Sequence, residues 1–464
     1  MLDLGMLMYA GLLVLAVWRS ICFYRCCGLW LSFLSYASLL YVILVASLTY
    51  SLVCFYQLTQ KNLDPVAIPY ANLWSISWLQ PLVMGAPALV AVSLALGWVQ
   101  SEGHVFEIHK DVGATRHDRA VQIIALPAVF GVMAVASMVP VYELVTGYTD
   151  PNMLINPLGL DARPGVAGMT GSMGVVHYSN ASSFVASNPL AYTAQFEELK
   201  QLAFWRYETC FYVADLFEAW ALYQFGILAL ELIGDSIAKK QKTFSSLAEG
   251  EVQVTAAMED LVASHVAMTN LTWLGTSIFV LVCVVQTACS LYPYLAGTVE
   301  GQAHIMQHFQ VAGFVASGAA IYNLLIVERA FHRHLEPASP LLKFLSVKIL
   351  VSLSFFQRGL ILVLQGCERL LPEVMRDIVK RVPLVGDIVN LTEVQMHLFY
   401  PSLILVECLL ASVMHVWAWR SDEAWYADGY AGSETTPLLS HSESKLDVKA
   451  EAKGVAAAEE AVKV

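Results

Sequence analysis

Ionisable side chains lie within three of the long apolar stretches of this 464-residue chain. In the first, a helical rotation of about 100° per residue places Glu208, Asp215 and Glu218 on one stripe. A charge at membrane depth is unfavourable unless it is paired or solvated, so such groups mark a solute pathway or an ion-pair network. We call the candidate residues the seam, and they are Asp215, Glu218, Gln357, Arg358, Glu407 and His415.

The depth of each charge along its helix suggests partners within the seam. Arg358 and Asp215 are predicted at the same level of the outer half, because their two helices run in opposite directions. Lys343 and Lys348 lie nearer the inner face, where long side chains can extend to the interface as anchors. The sequence therefore predicts an ion pair, and it leaves open whether the seam is a pathway or a network that fixes helix register.

Helices long enough to cross a bilayer must position these side chains. The chain is 57% hydrophobic and 14% charged, whereas a soluble domain has about 25% charged residues. Its continuous apolar windows are typical of membrane helices and are too long for barrel strands. Nine windows are predicted, at 2–18, 30–56, 81–100, 121–145, 209–233, 269–294, 305–327, 341–365 and 397–419. The predicted fold class is an all-α, polytopic membrane helical bundle.

These windows divide the chain into three parts. Residues 1–80 form an N-terminal extension with two windows, 81–419 a seven-helix core, and 420–464 an acidic tail that is predicted to be disordered. The first window, 2–18, is short enough to be a signal peptide. It is predicted to be a membrane segment instead, because Asp3 stands where a basic region is needed and no cleavage site follows.

The distribution of Lys and Arg predicts the orientation of the bundle. Basic residues concentrate in the alternate loops 101–120, 234–268 and 328–340, whereas 295–304 has none. These three loops are predicted to face the cytoplasm, with the N-terminus outside or lumenal and the tail cytoplasmic. The basic segment 366–392 falls on the outer side and is predicted to be a short interfacial amphipathic helix.

Candidate modification sites follow from this orientation. A cysteine cluster with basic neighbours lies at the cytoplasmic end of the first two windows and is a candidate for S-palmitoylation, with unmodified thiols as the alternative. Its members are Cys22, Cys26 and Cys27. The outer loop 147–204 is rich in Gly, Ser, Asn and Pro, which is typical of mobile loops. Asn180 and Asn390 lie in predicted outer loops and are candidates for N-glycosylation.

The tail contains a candidate sorting signal. The sequence ETTPLL has the form of an acidic dileucine signal, with Glu434, Leu438 and Leu439 as its defining residues. Such a signal acts only in a cytoplasmic tail, which the predicted topology supplies. It predicts adaptor proteins as partners and delivery to an endosomal, lysosomal or vacuolar membrane, with chance occurrence as the alternative.

Several other function classes have little support. The chain has no basic patch for nucleic acid, no P-loop and no G-x-S-x-G motif, and no cofactor is predicted. His304 and His308 are spaced i, i+4 as metal ligands can be, but no HExxH glutamate accompanies them. A zinc-dependent membrane hydrolase is therefore a weak alternative. The residues that could break helices and expose backbone groups to a ligand are Pro87, Pro127, Gly131 and Pro140. Tolerated kinks are the simpler interpretation of each.

Four stretches resemble the organic solute transporter alpha-subunit family, which includes vacuolar and endosomal relatives. They are MVPVYELV, YVADLFEAWALYQF, PLLKFLSVKILVSLSFFQ and LILVECLLASVMH, at 138–145, 212–225, 340–357 and 403–415. The resemblance implies a seven-helix fold, N-terminus outside, and facilitated, ATP-independent transport of amphipathic organic anions such as steroid conjugates. It also implies a single-span beta-type subunit as a partner of some members. The N-terminal extension and the long outer loop depart from the family pattern.

Transport of organic solutes is thus the predicted function. A non-transporting scaffold that recruits trafficking factors is the alternative from another class, and it rests on the dileucine signal and the cysteine cluster. The predicted location is the plasma membrane or an endosomal, lysosomal or vacuolar membrane. A homo-oligomer is compatible with the sequence, which does not set the oligomeric state.

Overall fold

Helices form the regular structure of the computed structural model. It describes residues 36–59, 73–110, 114–145, 189–247, 252–296, 302–335, 342–347, 357, 363, 382 and 385–426. The helices are α1 Tyr36–Thr59, α2 Leu79–His109, α3 Ala114–Ile124, α4 Leu126–Val145, α5 Pro189–Leu247, α6 Val252–Ala296, α7 Gln302–Ala330, α8 His332–Leu335, α9 Val385–Val389 and α10 Glu393–Ala418. Residues 342–347 are also helical, and a 3-10 turn, Ala424–Tyr426, follows α10.

Seven helical segments of the described residues are long and apolar enough to cross a membrane. One of them, Leu39–Thr59, belongs to the predicted N-terminal extension, and six correspond to windows of the predicted core. The prediction of a polytopic helical bundle is therefore confirmed. The remaining core window, 341–365, is described only in part, and the window 2–18 lies outside the described residues.

Several predicted sites also lie outside the described residues. They are the candidate lipidation sites Cys22, Cys26 and Cys27, the sequon residue Asn180, the cations Lys348 and Arg358, and the sorting residues Glu434, Leu438 and Leu439. All of them stay predictions.

Helix α4 lies at the centre of the bundle. Its sequence is apolar on every face, and all 20 of its residues are buried. A helix of that kind is stable only where other helices cover it. Helices α1, α2, α5 and α10 pack around α4. The helix α1, from the predicted extension, contributes Leu40, Tyr41 and Leu44 to the same apolar core.

One of the candidate helix breaks is present, immediately before the central helix. Helix α3 ends at Ile124 and α4 begins at Leu126. Pro127 follows directly, and because it has no N–H it cannot donate to the carbonyl four residues earlier. Pro87 and Pro140 lie inside continuous helices. Those two prolines are therefore accommodated within α2 and α4 without ending either helix.

Helices α5 and α6 extend far beyond the predicted windows. Helix α5 has 59 residues, which is about 88 Å at ~1.5 Å per residue, against about 30 Å for the apolar layer of a bilayer. The predicted outer loop 147–204 ends earlier, because α5 begins at Pro189. The prediction of a loop over 234–268 is wrong. Residues 234–247 and 252–268 are helical, because apolar side chains on the two segments pack against each other.

Helix α7 packs beside α6 rather than against the central helix, and α6 packs between α5 and α7. From here on we call α1, α2, α4 and α10 the core, which is a different set from the predicted seven-helix core. We call α5, α6 and α7 the wing. Large apolar side chains point outward from the wing, among them Leu281 at 61% and Val311 at 65% exposure. In a membrane this surface faces lipid.

The N-terminal end of α10 is fixed by local hydrogen bonds. Thr392 and Gln395 form a capping box at its start, which satisfies two backbone N–H groups of the first turn. The Gln395 Nε2 also donates to the Leu73 carbonyl at 2.9 Å.

Of the predicted interfacial segment 366–392, the structure describes residue 382 and residues 385–392, which include α9. Asn390, among those residues, is exposed, and glycosylation there stays a prediction.

Candidate functional site

The acidic stripe on α5 faces α6. Glu218 is 3% exposed and Asp215 is half-buried. Both carboxylates lie close enough to Cys283 of α6 to act electrostatically on its thiol. Each of the two acidic residues takes part in a polar or electrostatic interaction. The predicted stripe is therefore on the helix face that packs within the wing.

Tyr212 joins all three helices of the wing, one turn before Asp215. Its hydroxyl accepts a hydrogen bond from Gln310 Nε2 of α7 at 2.8 Å, and its carbonyl accepts one from Thr287 Oγ1 of α6 at 3.0 Å. Sequence reasoning missed this tyrosine because it is not ionised at neutral pH. Its position three residues before Asp215, on the same helix face, was the available signal.

Glu407 of α10 is the acidic residue of the predicted seam that does not belong to α5. It is buried and accepts a hydrogen bond from Gln357 Nε2. The window 341–365 is therefore tied to α10 at membrane depth. Because Arg358 lies outside the described residues, its predicted pair with Asp215 stays a prediction.

His415 contacts a different set of groups from those around the seam carboxylates. Its Nε2 is 3.2 Å from the Ser346 carbonyl oxygen, and since a carbonyl can only accept, that nitrogen donates. Gln100 Nε2 donates to the carbonyls of His415 and Trp419 at 2.6 and 2.7 Å. The C-terminal carbonyls of α10 are thus satisfied by α2, and His415 holds the helical segment 342–347 against α10.

Lys343 is buried, in contrast to the expected interfacial anchor. It is 3% exposed, and its Nζ donates to Glu423 Oε2 at 2.8 Å. Glu423 belongs to residues 419–426, which follow α10 and which we call the strap. A lysine ammonium can extend to the membrane interface when lipid surrounds the apolar stem of the side chain. Here the strap covers Lys343 instead.

Two histidines join the C-terminal end of α2 to the start of α3 beneath the strap. His104 Nε2 is 3.0 Å from the Trp419 carbonyl oxygen and must donate to it. In a neutral ring its Nδ1 then accepts, so His117 Nδ1, 2.9 Å away, is the donor. The His117 ring stacks on Tyr426 at 4.1 Å between centroids. Burial raises the pKa of the Tyr426 phenol well above its usual range, which keeps it protonated.

Ion pairs connect α3 to α5 at the same end. Arg116 pairs with Asp235, and Arg119 Nη1 lies 2.5 Å from Glu231 Oε2. Arg116 Nη1 also donates to the Trp425 carbonyl of the strap at 2.8 Å. The two arginines that the topology prediction placed in a cytoplasmic loop are therefore on a helix and paired with α5.

The end of the bundle opposite the strap has its own pair between core and wing. Arg206 Nη1 of α5 lies 2.7 Å from Glu143 Oε2 of α4. Close by, His397 of α10 stacks on Phe204 of α5 at 4.0 Å between ring centroids. Helix α5 is thus paired with α4 on one side of the acidic stripe and with α3 on the other.

The described residues contain no group of three or more His, Cys, Asp or Glu side chains that could hold a metal ion. His308, one of the two histidines at metal-ligand spacing, is exposed. Among these residues, polar groups are arranged for hydrogen bonding and ion pairing rather than for metal coordination.

Comparison with known proteins gives one match. Residues 199–424 match a family model described as "Organic solute transporter Ostalpha". The matched range begins within α5 and ends in the strap, so it includes Tyr212, the acidic stripe, Gln357 and Glu407. No curated protein and no solved structure matches the chain.

Proposed function

The chain belongs, through residues 199–424, to the organic solute transporter alpha family, and on this premise we propose that it moves amphipathic organic anions such as steroid conjugates across its membrane. Movement is facilitated and independent of ATP, in keeping with a sequence that has no P-loop. The proposed route follows the seam between the wing and α10.

One observation supports this route above the others. Tyr212, Asp215 and Glu218 lie on a single face of α5, and that face packs toward α6 and α7 within the apolar layer. A polar group inside a membrane has an unfavourable free energy unless it interacts with a ligand or with another polar group. This polar stripe is about 9 Å long at ~1.5 Å per residue, or about a third of the ~30 Å apolar layer, and it would supply polar contacts to a solute group over that depth.

The seam also supports a division of roles. The window 341–365 carries Lys348 and Arg358, which are the cations that an anionic solute would contact. Glu407 binds this window through Gln357. In the proposed mechanism the carboxylates of α5 and α10 hold the cations in register and do not themselves bind the solute.

The remaining assignments are proposals of the same kind. A single-span beta-type subunit and a second copy of the chain are the proposed membrane partners. Adaptor proteins would bind Glu434, Leu438 and Leu439 in the cytoplasm and deliver the protein to an endosomal, lysosomal or vacuolar membrane. The N-terminus is proposed to lie outside or in the lumen.

Flux measurements test the proposed function. Purified protein in liposomes should take up a radiolabelled steroid sulfate in a saturable manner. Arg358→Ala and Glu218→Gln should each abolish uptake while the protein stays folded. Glu259→Gln is the matched control, because it removes the same charge from an exposed site on the projecting part of α6.

The outcomes separate the alternatives. Uptake that survives both seam substitutions would make the seam a structural network that fixes helix register. No uptake by the wild type, even with a beta-type partner present, would favour the scaffold over a transporter.

A further inference from the structure

A carboxylate-binding site lies where the strap meets the helical segment 342–347. Lys343 Nζ donates to Glu423 Oε2 at 2.8 Å, and the indole N–H of Trp425 donates to the same oxygen. An ammonium and an indole N–H that converge on one oxygen form a specific anion site. Here a carboxylate of the chain itself occupies it.

The walls of this site are aromatic. The Lys343 Nζ lies 4.9 Å from the ring centroid of Trp425 and 5.7 Å from that of Trp419. Both tryptophans are buried. A cation held against indole faces is favourable in itself, and indole faces also suit the apolar body of a ligand. The site therefore has the parts needed for a molecule with an anionic group and an apolar ring system.

Glu423, which occupies the site, is more exposed to solvent than Lys343, which forms it. The Glu423 side chain is 25% exposed, whereas that of Lys343 is 4% exposed. The strap is held independently of this carboxylate, because Arg116 Nη1 donates to the Trp425 carbonyl at 2.8 Å. Rotation of the Glu423 side chain into water would therefore leave Lys343 and Trp425 in place.

We propose that Lys343 and Trp425 form an inner binding site for the anionic group of the solute, and that Glu423 is a tethered competitor that closes the site when no solute is bound. This inference rests on the proposed function. A tethered group competes at an effective concentration in the millimolar range. Removing it should raise the apparent affinity for a solute anion about tenfold, since the open form becomes the dominant one.

Chemical rescue tests the site without transport. Glu423→Ala leaves a buried ammonium without its carboxylate, which lowers the thermal midpoint in detergent. Acetate should restore the midpoint of this variant more than chloride at the same ionic strength, and a steroid sulfate should act at about tenfold lower concentration than on the wild type. The wild type should respond little to acetate. Asp422→Ala is the matched control, because it removes an exposed carboxylate from the same strap.

A second variant links the response to Lys343. Lys343→Met in the Glu423→Ala chain should abolish the response to both anions. If Glu423→Ala does not fold, Glu423→Gln keeps an oxygen for the Trp425 N–H while removing the competing charge, and steroid sulfate titration of that variant gives the same readout. Equal responses of Glu423→Ala, or of this Gln variant, and of Asp422→Ala would overturn the inference.

Flux distinguishes this inference from the proposed function. Wild-type uptake of steroid sulfate without any anion response of the Glu423 variants would overturn the inner site and leave transport standing. An anion response that depends on Lys343, in a chain that shows no uptake, would support the site and count against transport.

Discussion

The central helix of the core and the first helix of the wing differ in where their charged groups lie. Helix α4 is buried along its whole length, and its ion-paired Glu143 lies near its C-terminal end. On α5, Asp215 and Glu218 lie well inside the span Lys200–Lys242, and Glu218 is 3% exposed. Both regions are helical and apolar, so composition alone does not distinguish them.

The difference indicates which region is built to change shape. A helix surrounded on all sides cannot shift without repacking four neighbours, because interiors are close-packed. Helix α7 packs mainly against α6 and is joined to α5 by the hydrogen bond between Gln310 and Tyr212. A single hydrogen bond of a transmembrane helix pair contributes only about 0.6 kcal/mol on average. We therefore expect substitutions in the core to change mainly the free energy of unfolding, and substitutions in the wing to change mainly the rate of transport.

The largest expected effect is at the attachment of the wing to the core. Arg206→Ala should destabilise the protein by about 3 kcal/mol or more, because Glu143 loses a close cation in a buried position. Thermal unfolding of purified protein in detergent measures it. Lys200→Ala is the control from the same helix, since its partner Glu393 is 54% exposed, and it should cost less than about 1 kcal/mol. Equal losses for the two variants would contradict the importance of burial at this attachment.

Packing gives the next largest contrast. A β-carbon added to Gly131 of α4 would lie 3.1 Å from Val90 Cγ1, whereas one added to Gly318 of α7 would meet nothing within 4 Å. Gly131→Val should therefore destabilise the protein by about 1–3 kcal/mol through overpacking. Gly318→Val should leave the thermal midpoint nearly unchanged. A larger loss at Gly318 would show that another molecule covers that face of the wing.

A substitution inside the wing should separate stability from transport. Tyr212→Phe removes the hydroxyl that accepts from Gln310 and should cost less than about 1 kcal/mol in unfolding free energy. Steroid sulfate flux should nevertheless change severalfold, because α5, α6 and α7 lose a shared contact beside Asp215. Gln310→Leu removes the donor and should reproduce the effect. If flux stays constant in both variants, the contact is structural only.

The smallest effect is expected on the surface of the strap. Arg420 pairs with Asp422, but both side chains are more than 60% exposed. The guanidinium lowers the pKa of Asp422 by its hydrogen bond, so any stabilisation is present at neutral pH and is lost as the pH falls through that lowered pKa. Arg420→Ala should not change the thermal midpoint measurably at pH 7. A clear loss would mean that the strap is held from its exposed side.

The sequence predicted the helices better than their ends. Apolar windows located the spans, because lipid exposure and burial within a bundle both require apolar side chains. The hairpin over 234–268 was missed, since its helices lie beyond the windows and their apolar faces pack against each other and against the C-terminal end of α7 and the residues that follow it. Periodicity was informative there, but a hydropathy window averages it away.

The candidate site was predictable only in part. The acidic stripe followed from helical spacing, and the contact of Glu407 with Gln357 lies within the predicted seam. Tyr212 and the strap were missed, because their roles depend on which helices meet. Lys343 was assigned by its depth, and His415 because it is ionisable within an apolar window. Neither criterion can show that a segment after α10 covers Lys343 or that His415 binds the Ser346 carbonyl.

Helix α5 has no proline after its first residue. The same rigid rod therefore carries the acidic stripe within the membrane and the helical hairpin beyond it. Asp215 and Ser236 are about 32 Å apart along its axis, at ~1.5 Å per residue. A protein that binds the hairpin and rotates it would also rotate the acidic stripe, because the two lie on one continuous helix. A protein bound to the hairpin, or an engineered antibody fragment, would thus set the orientation of groups that it never touches.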